Sequence, residues 1–203
     1  YSDRTKYTHS AQIIKQIDHL LTYTGYVCDN SIPKHVKKNN LIYVSTGLNK
    51  QEGMLLFKEI TKIAAQFLDY KFVMPVANRY LKTGSTVRDN MIFVEYIPNL
   101  ANKIQSCSAF ITYGGYNSTM EILNSGVPAI VVPRQDGHKL EQFVRAYTFE
   151  PYGFFKVLNN KEFNKLSDTL KFVLENKPET FNFNLQGAKN SADEIFRVYE
   201  RIS

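Results

Sequence analysis

The sequence predicts an α/β domain built on a doubly wound parallel sheet, and three observations carry that prediction. Short apolar runs of strand character alternate with stretches whose apolar residues recur at helical spacing. The segment from Ile111 to Ala146 reads as strand, Gly-Gly turn, helix, strand, loop and helix in immediate succession. The chain has 203 residues, 43% of them hydrophobic and 13% aromatic, which is enough for one globular domain with a full core. Strands separated by helices pair in parallel through right-handed crossovers, and a ligand then belongs beyond the carboxyl ends of the strands.

The elements follow in order. LIYVS at 41 to 45 is a buried strand, and from Gln51 to Leu68 a helix places Leu56, Ile60, Ile63, Ala64 and Phe67 on one face. KFVMP at 71 to 75 and MIFVEY at 91 to 96 are strands, with the polar TGST at 83 to 86 in the loop between them. A short helix around Leu100 to Gln105 leads to the strand Ala109 to Thr112 and the helix after the glycines. Next come a strand over Ala129 to Val132, a helix over Lys139 to Tyr147 and a short strand near Phe154 to Leu158. Two helices close the chain, over Glu162 to Glu175 and Ala188 to Ile202. This is a Rossmann-like order. Tyr1 to Ile32 fits the sheet poorly, although Ile13, Ile14, Ile17, Leu20 and Leu21 share one helical face. We therefore expect residues 1–32 to be a linker with an attached helix and 33–203 to be the domain proper.

Composition bounds the function. The longest apolar runs, such as Pro128 to Pro133, are far too short to span a bilayer as a helix, and the N-terminus lacks a secretory pattern. Cys28 and Cys107 lie far apart with no CxxC or His spacing, so reduced thiols, no metal site and a cytoplasmic location are expected. The chain begins at Tyr1 without a methionine, as a piece of a longer protein would. The net charge of +6, with one lysine cluster at Lys34 to Lys38, permits an anionic partner without choosing one, and a solvated basic surface is the favoured reading. No basic stripe with interleaved aromatics is present, so nucleic acid is not an expected partner; peripheral contact with an anionic membrane surface is compatible with the charge.

The glycine turn carries the chemistry. After the apolar run Ala109 to Thr112, Gly114 and Gly115 allow a sharp turn and close approach of a ligand, and Asn117, Ser118 and Thr119 offer donors where the helix begins. Unpaired N–H groups and the positive end of the helix dipole suit a phosphate there; an ordinary strand-to-helix turn is the plainer alternative. Ser118 and Glu121 stand three apart, the spacing of a capping box.

The pieces GGYNSTMEIL at 114 to 123, GVPAIVVPR at 126 to 134 and EQFVRA at 141 to 146, with weaker echoes in TGYV at 24 to 27 and EYIPNL at 95 to 100, resemble the donor-sugar signature of GT-B glycosyltransferases. They resemble in particular family 28 and a related group with GGYN-type loops. The resemblance spans most of Thr24 to Phe155 and implies the C-terminal, nucleotide-sugar-binding half of a GT-B fold. It implies that Gly114, Gly115, Asn117, Ser118 and Thr119 hold a diphosphate and that Glu121 accepts from the ribose hydroxyls, a diol that a carboxylate matches with two acceptors. It further assigns Glu141 and Gln142 to the donor sugar, with a solvated first helical turn as the alternative, and Tyr96 and Ile97 to the base, with a plain strand-end turn as the alternative. Arg134 could neutralise phosphate or pair with Asp136. One departure stands out: STGLNKQEG at 45 to 53 has Leu48 and Asn49 where relatives carry small residues, leaving Gly47 for the turn and Ser45 and Thr46 as weak candidates.

The expected function is donor binding, UDP-sugar favoured, in an inverting glycosyltransferase that uses no metal or other cofactor; no Asp-x-Asp motif occurs. An N-terminal acceptor-binding domain, in the same or a partner chain, would supply the general base. An epimerase or hydrolase of the same fold, or a non-catalytic nucleotide-binding subunit, are the rival readings.

Overall fold

The computed structural model describes residues 18–29, 38–45, 50–75, 88–134, 141–179 and 183–202. Strands β1 (Leu41–Val44), β2 (Lys71–Pro75), β3 (Met91–Val94), β4 (Ala109–Thr112), β5 (Ala129–Val131) and β6 (Lys156–Val157) form one sheet. Its order is β3-β2-β1-β4-β5-β6, and every pairing is parallel. Helices α1 (Lys50–Ile63), α2 (Leu100–Ser106), α3 (Tyr116–Ser125), α4 (Glu141–Phe149), α5 (Leu166–Glu175) and α6 (Gly187–Ile202) complete the α/β pattern. The order reverses between β1 and β4, so the crevice beyond their carboxyl ends is where a doubly wound sheet takes its ligand.

Both faces of the sheet are covered, as the continuous apolar runs require. Alternate residues of each strand point to opposite sides. Ile42, Val44, Ala109, Ile111 and Ile130 pack with Leu56, Phe57 and Ile60 of α1 and Leu166 and Leu170 of α5. Tyr43, Phe110, Ala129 and Val131 pack on the other side with Ile104 of α2, Met120 and Ile122 of α3 and Phe149 of α4.

Element bounds differ from the sequence reading where local chemistry intervenes. β3 stops at Val94, the last residue paired with β2, so Tyr96 and Ile97 lie in the following turn. α1 gives way at Ala64 to a single 3-10 turn, Ala64–Gln66. The helix expected from Glu162 is a 3-10 segment, Asn160–Lys165, broken at Glu162 (φ −113°) and capped by Asn159, whose side chain accepts from the Lys161 N–H at 2.9 Å; α5 proper follows. α4 runs two residues past Tyr147, to Phe149.

The segment Thr24 to Asp29 docks on the domain without joining the sheet. Tyr26 exchanges backbone bonds with Asn184 and Gly187 (both 2.8 Å), and the Val27 N–H donates to Tyr116 Oη at 2.9 Å. Gly187 is needed at this crossing, because a Cβ there would sit 2.7 Å from the Gly25 carbonyl oxygen. The free Cys107 is buried, and burial pushes its thiol up to about 12, a protonated and unreactive group. Among the described residues no helix is long and apolar enough to cross a membrane.

α6 does not fold its apolar stripe onto the sheet. Ile195, Tyr199 and Ile202 are 68%, 63% and 80% exposed, and Phe196 and Val198 lie beside them in solvent. Charge substitutions at Tyr199 and Ile202 should therefore change the stability of this chain by no more than about 0.5 kcal/mol, readable as an unmoved thermal transition. A large drop would show that the two side chains belong to its core.

Candidate functional site

The turn after β4 is held in a shape that glycine alone permits at its first position. Gly114 has φ +73°, and a Cβ on it would lie 2.6 Å from Val131 Cγ1 on β5. Gly115, at φ −58°, is the N-cap of α3, with no side-chain cap bond, and the helix begins at Tyr116. The amides of Tyr116 and of the next residues thus sit in a first turn whose N–H groups have no partner within the helix. This start is three residues earlier than a capping box at Ser118 requires, so Ser118 and Glu121 do not cap α3.

Asn117 is exposed and Ser118 half-exposed in that first turn. Thr119 departs from the sequence expectation. It is 1% exposed, and its hydroxyl is turned back on the carbonyls of Gly115 (3.0 Å) and Gly114 (3.4 Å), because the early helix start places it a turn in and beneath the loop. It braces the turn from inside and does not face the open end.

Glu121 lies on the second turn of α3, half-buried, and desolvation holds its carboxyl above the usual carboxylate range. With Asn117 and Asn124 it shares one face of the helix, along a cavity of about 220 Å³ between α3, α2 (Ala101, Gln105) and the Val27–Asp29 segment. A larger hollow of about 810 Å³ lies at the opposite, amino ends of β1 and β2. Two of its polar side chains brace the fold: Asn90 Nδ2 donates to the carbonyls of Ala64, Phe67 and Tyr70, and Arg88 Nε to that of Thr61. The smaller cavity is the one that reaches the first turn of α3, through Asn117.

The remaining candidates surround the same end of the sheet. Glu141 opens α4 with its side chain 72% exposed and ion-paired to Arg145 one turn on. Gln142 Oε1 is buried without a hydrogen-bond partner among the described residues. Tyr96 is 69% exposed, whereas Ile97 packs against the second core cluster. The Arg134 guanidinium lies 5.2 Å from the centroid of the Tyr113 ring. The Ser45 N–H donates to the Ile111 carbonyl at 2.8 Å. Thr46, Gly47, Leu48 and Asn49, together with residues 135–140, lie outside the described residues. Among the described residues no group of three His, Cys, Asp or Glu side chains could hold a metal ion.

Sequence reasoning missed Arg145. It is 4% exposed, its Nη1 donates to the Gly114 carbonyl at 3.2 Å, and its guanidinium lies 5.4 Å from the centroid of the Tyr116 ring. Its spacing of four from Glu141 was the available signal.

Comparison with known proteins decides the family. The profile of the Glycosyltransferase family 28 C-terminal domain matches residues 30–198. The chain belongs to that family. It is 27% identical over 186 residues to the uncharacterised UDP-glucosyltransferase YojK of Bacillus subtilis, covering 85% of this chain and 44% of that protein. It is 28% identical over 114 residues to the UDP-N-acetylglucosamine–N-acetylmuramyl-(pentapeptide) pyrophosphoryl-undecaprenol N-acetylglucosamine transferase of Thermosipho melanesiensis, covering 55% of this chain and 33% of that one. This family 28 domain thus spans less than half the length of either curated relative. The crystal structure of the glycosyltransferase VinC in complex with dTDP superposes with a TM-score of 0.61 at 18% identity, over 89% of this chain and 47% of that one. At that identity the likeness speaks for the GT-B C-terminal fold.

Proposed function

We propose that this family 28 domain binds the nucleoside diphosphate of a sugar donor, UDP-sugar first, and serves as the donor half of an inverting, metal-independent glycosyltransferase. The observation that carries the reading is the Gly114–Gly115 turn feeding the open amino end of α3, with the half-buried Glu121 along the same helix face. The amides of Gly115, Tyr116, Asn117 and Ser118 receive the diphosphate, Glu121 accepts from the ribose hydroxyls, Tyr96 and Ile97 border the base, and Glu141 and Gln142 face the sugar. An acceptor hydroxyl attacks the anomeric carbon, the new C–O bond forms as the bond to the diphosphate oxygen breaks, and the departing charge is met by the helix amino end. The base that takes the acceptor proton comes from an N-terminal domain, in this chain's longer protein or in a partner. The exposed stripe on α6 is one face such a domain could cover, and the net charge of +6 suits peripheral contact with an anionic membrane. Cytoplasmic residence fits a chain whose two cysteines form no disulfide with each other.

Calorimetry of this chain with UDP, dTDP and GDP in excess chelator should show binding, strongest for UDP. No heat and no thermal shift for any of the three would overturn the proposal. With the longer protein, glycoside formation separates transfer from epimerisation or hydrolysis.

A further inference from the structure

Arg145 belongs to α4, yet its guanidinium reaches back across the site to the turn that precedes α3. Nη1 donates to the Gly114 carbonyl and Nη2 pairs with Glu141, while the guanidinium lies over the Tyr116 ring. The Tyr116 hydroxyl in turn accepts from the Val27 N–H, so one side chain touches the glycine turn, the first residue of α3 and the start of α4. Burial of a cation at 4% exposure is retained only where partners satisfy it, and here the partners are pieces of the proposed donor site.

The contact has a stereochemical consequence. Arg145 Nη1 draws the Gly114 carbonyl inward, with Thr119 Oγ1 on the same oxygen at 3.4 Å. The described chain contains no cis peptide, and in a planar trans peptide the C=O and N–H point in opposite directions. The N–H of Gly115 is therefore turned outward, to the side on which the free first-turn amides of α3 open.

We propose that Arg145 is a positioning residue for the diphosphate: it fixes the Gly114–Gly115 peptide with its N–H outward and ties Glu141 to the same turn. The proposal rests on the donor-domain reading above. A guanidinium suits the task because its donors are held in a rigid plane that can serve a carbonyl and a carboxylate together, and because it stays charged at every working pH. Its buried charge also favours an anion on the far side of the turn, where low polarisability weakens the field little.

The test compares UDP with uridine, which carries the nucleoside but no phosphate, on the wild-type chain and on Arg145→Met and Arg145→Lys. Arg145→Met should weaken UDP by roughly tenfold or more, as for a lost hydrogen bond to a charged group, while uridine shifts by less than about twofold. Arg145→Lys keeps the charge without the planar fork and should recover part of the UDP affinity; it is read in the same way should the Met variant not fold. Equal weakening of UDP and uridine, or unchanged UDP affinity with a lowered melting temperature, would show a packing role only. A wild-type chain that binds uridine as tightly as UDP, or neither, would remove the diphosphate seat itself, a failure of the donor-domain reading that the wild type alone reveals.

Discussion

Replacing Gly114 with alanine should destabilise the domain by about 2–5 kcal/mol and abolish nucleoside diphosphate binding. Two penalties add. The left-handed backbone at φ +73° costs an L-residue roughly 1–2 kcal/mol, and a Cβ placed 2.6 Å from Val131 Cγ1 forces the packed β5 strand to give way, at about 1–3 kcal/mol. Val131 is fully buried, so it has no free volume into which to retreat. Any relief must come from rotating the turn, which re-aims the amide that the diphosphate needs. Gly115→Ala is the control: at φ −58° its Cβ would meet only Tyr113, at 3.4 Å, so stability should fall by about 1 kcal/mol or less. Urea denaturation of both variants decides the matter. A loss at Gly114 no larger than that at Gly115 would mean that the turn relaxes freely and that its shape is not what β4 and β5 enforce.

Much of this architecture was legible because its strands are buried on both faces. β2 and β4 coincide with the apolar runs KFVMP and AFIT, in which Phe72, Met74, Ala109 and Ile111 find partners on one side of the sheet and Val73 and Phe110 on the other. The residues that misled are those whose conformation is settled by local hydrogen bonding. Glu162 breaks what reads as a continuous helix, and Ser118 with Glu121 imitates a capping box although the glycines start α3 three residues earlier. Thr119 looked like a donor in sequence, and its placement depends on where the helix begins. For Arg145 the spacing of four within EQFVRA signals only the pair with Glu141; its partners Gly114 and Tyr116 are some thirty positions away, so the inward turn of its side chain has no local signature. The docking of Val27 against Tyr116 is likewise a tertiary fact with no local signature.

Glu121→Ala should weaken binding of ribonucleoside diphosphates by about 1–3 kcal/mol while leaving the fold at least as stable. The stability half follows from the observed helix. Glu121 stands beyond the first turn of α3 and caps nothing, and alanine is the better helix former. Desolvation raises the folded-state pKa, so the folded chain holds this proton more tightly than the unfolded one. The ionised carboxylate is then a destabilising group, its cost present above the folded pKa and absent below the ordinary carboxyl value, and alanine removes it at neutral pH. The affinity half follows from the diol. Ribose hydroxyls donate to the ionised form and favour it, so UDP binding should decline on acidification beginning at a pH above the usual carboxylate range, and the alanine variant should lose that dependence. A nucleotide lacking both the 2′ and 3′ hydroxyls isolates the contact, because its affinity should be the same for wild type and variant. Titrations of UDP and its 2′,3′-dideoxy analogue, with a melting curve for each protein, read all three expectations at once. Equal losses for the two ligands would place Glu121 away from the ribose. An unchanged affinity accompanied by a stability loss of about 0.5–2 kcal/mol would return it to the role of a helix cap.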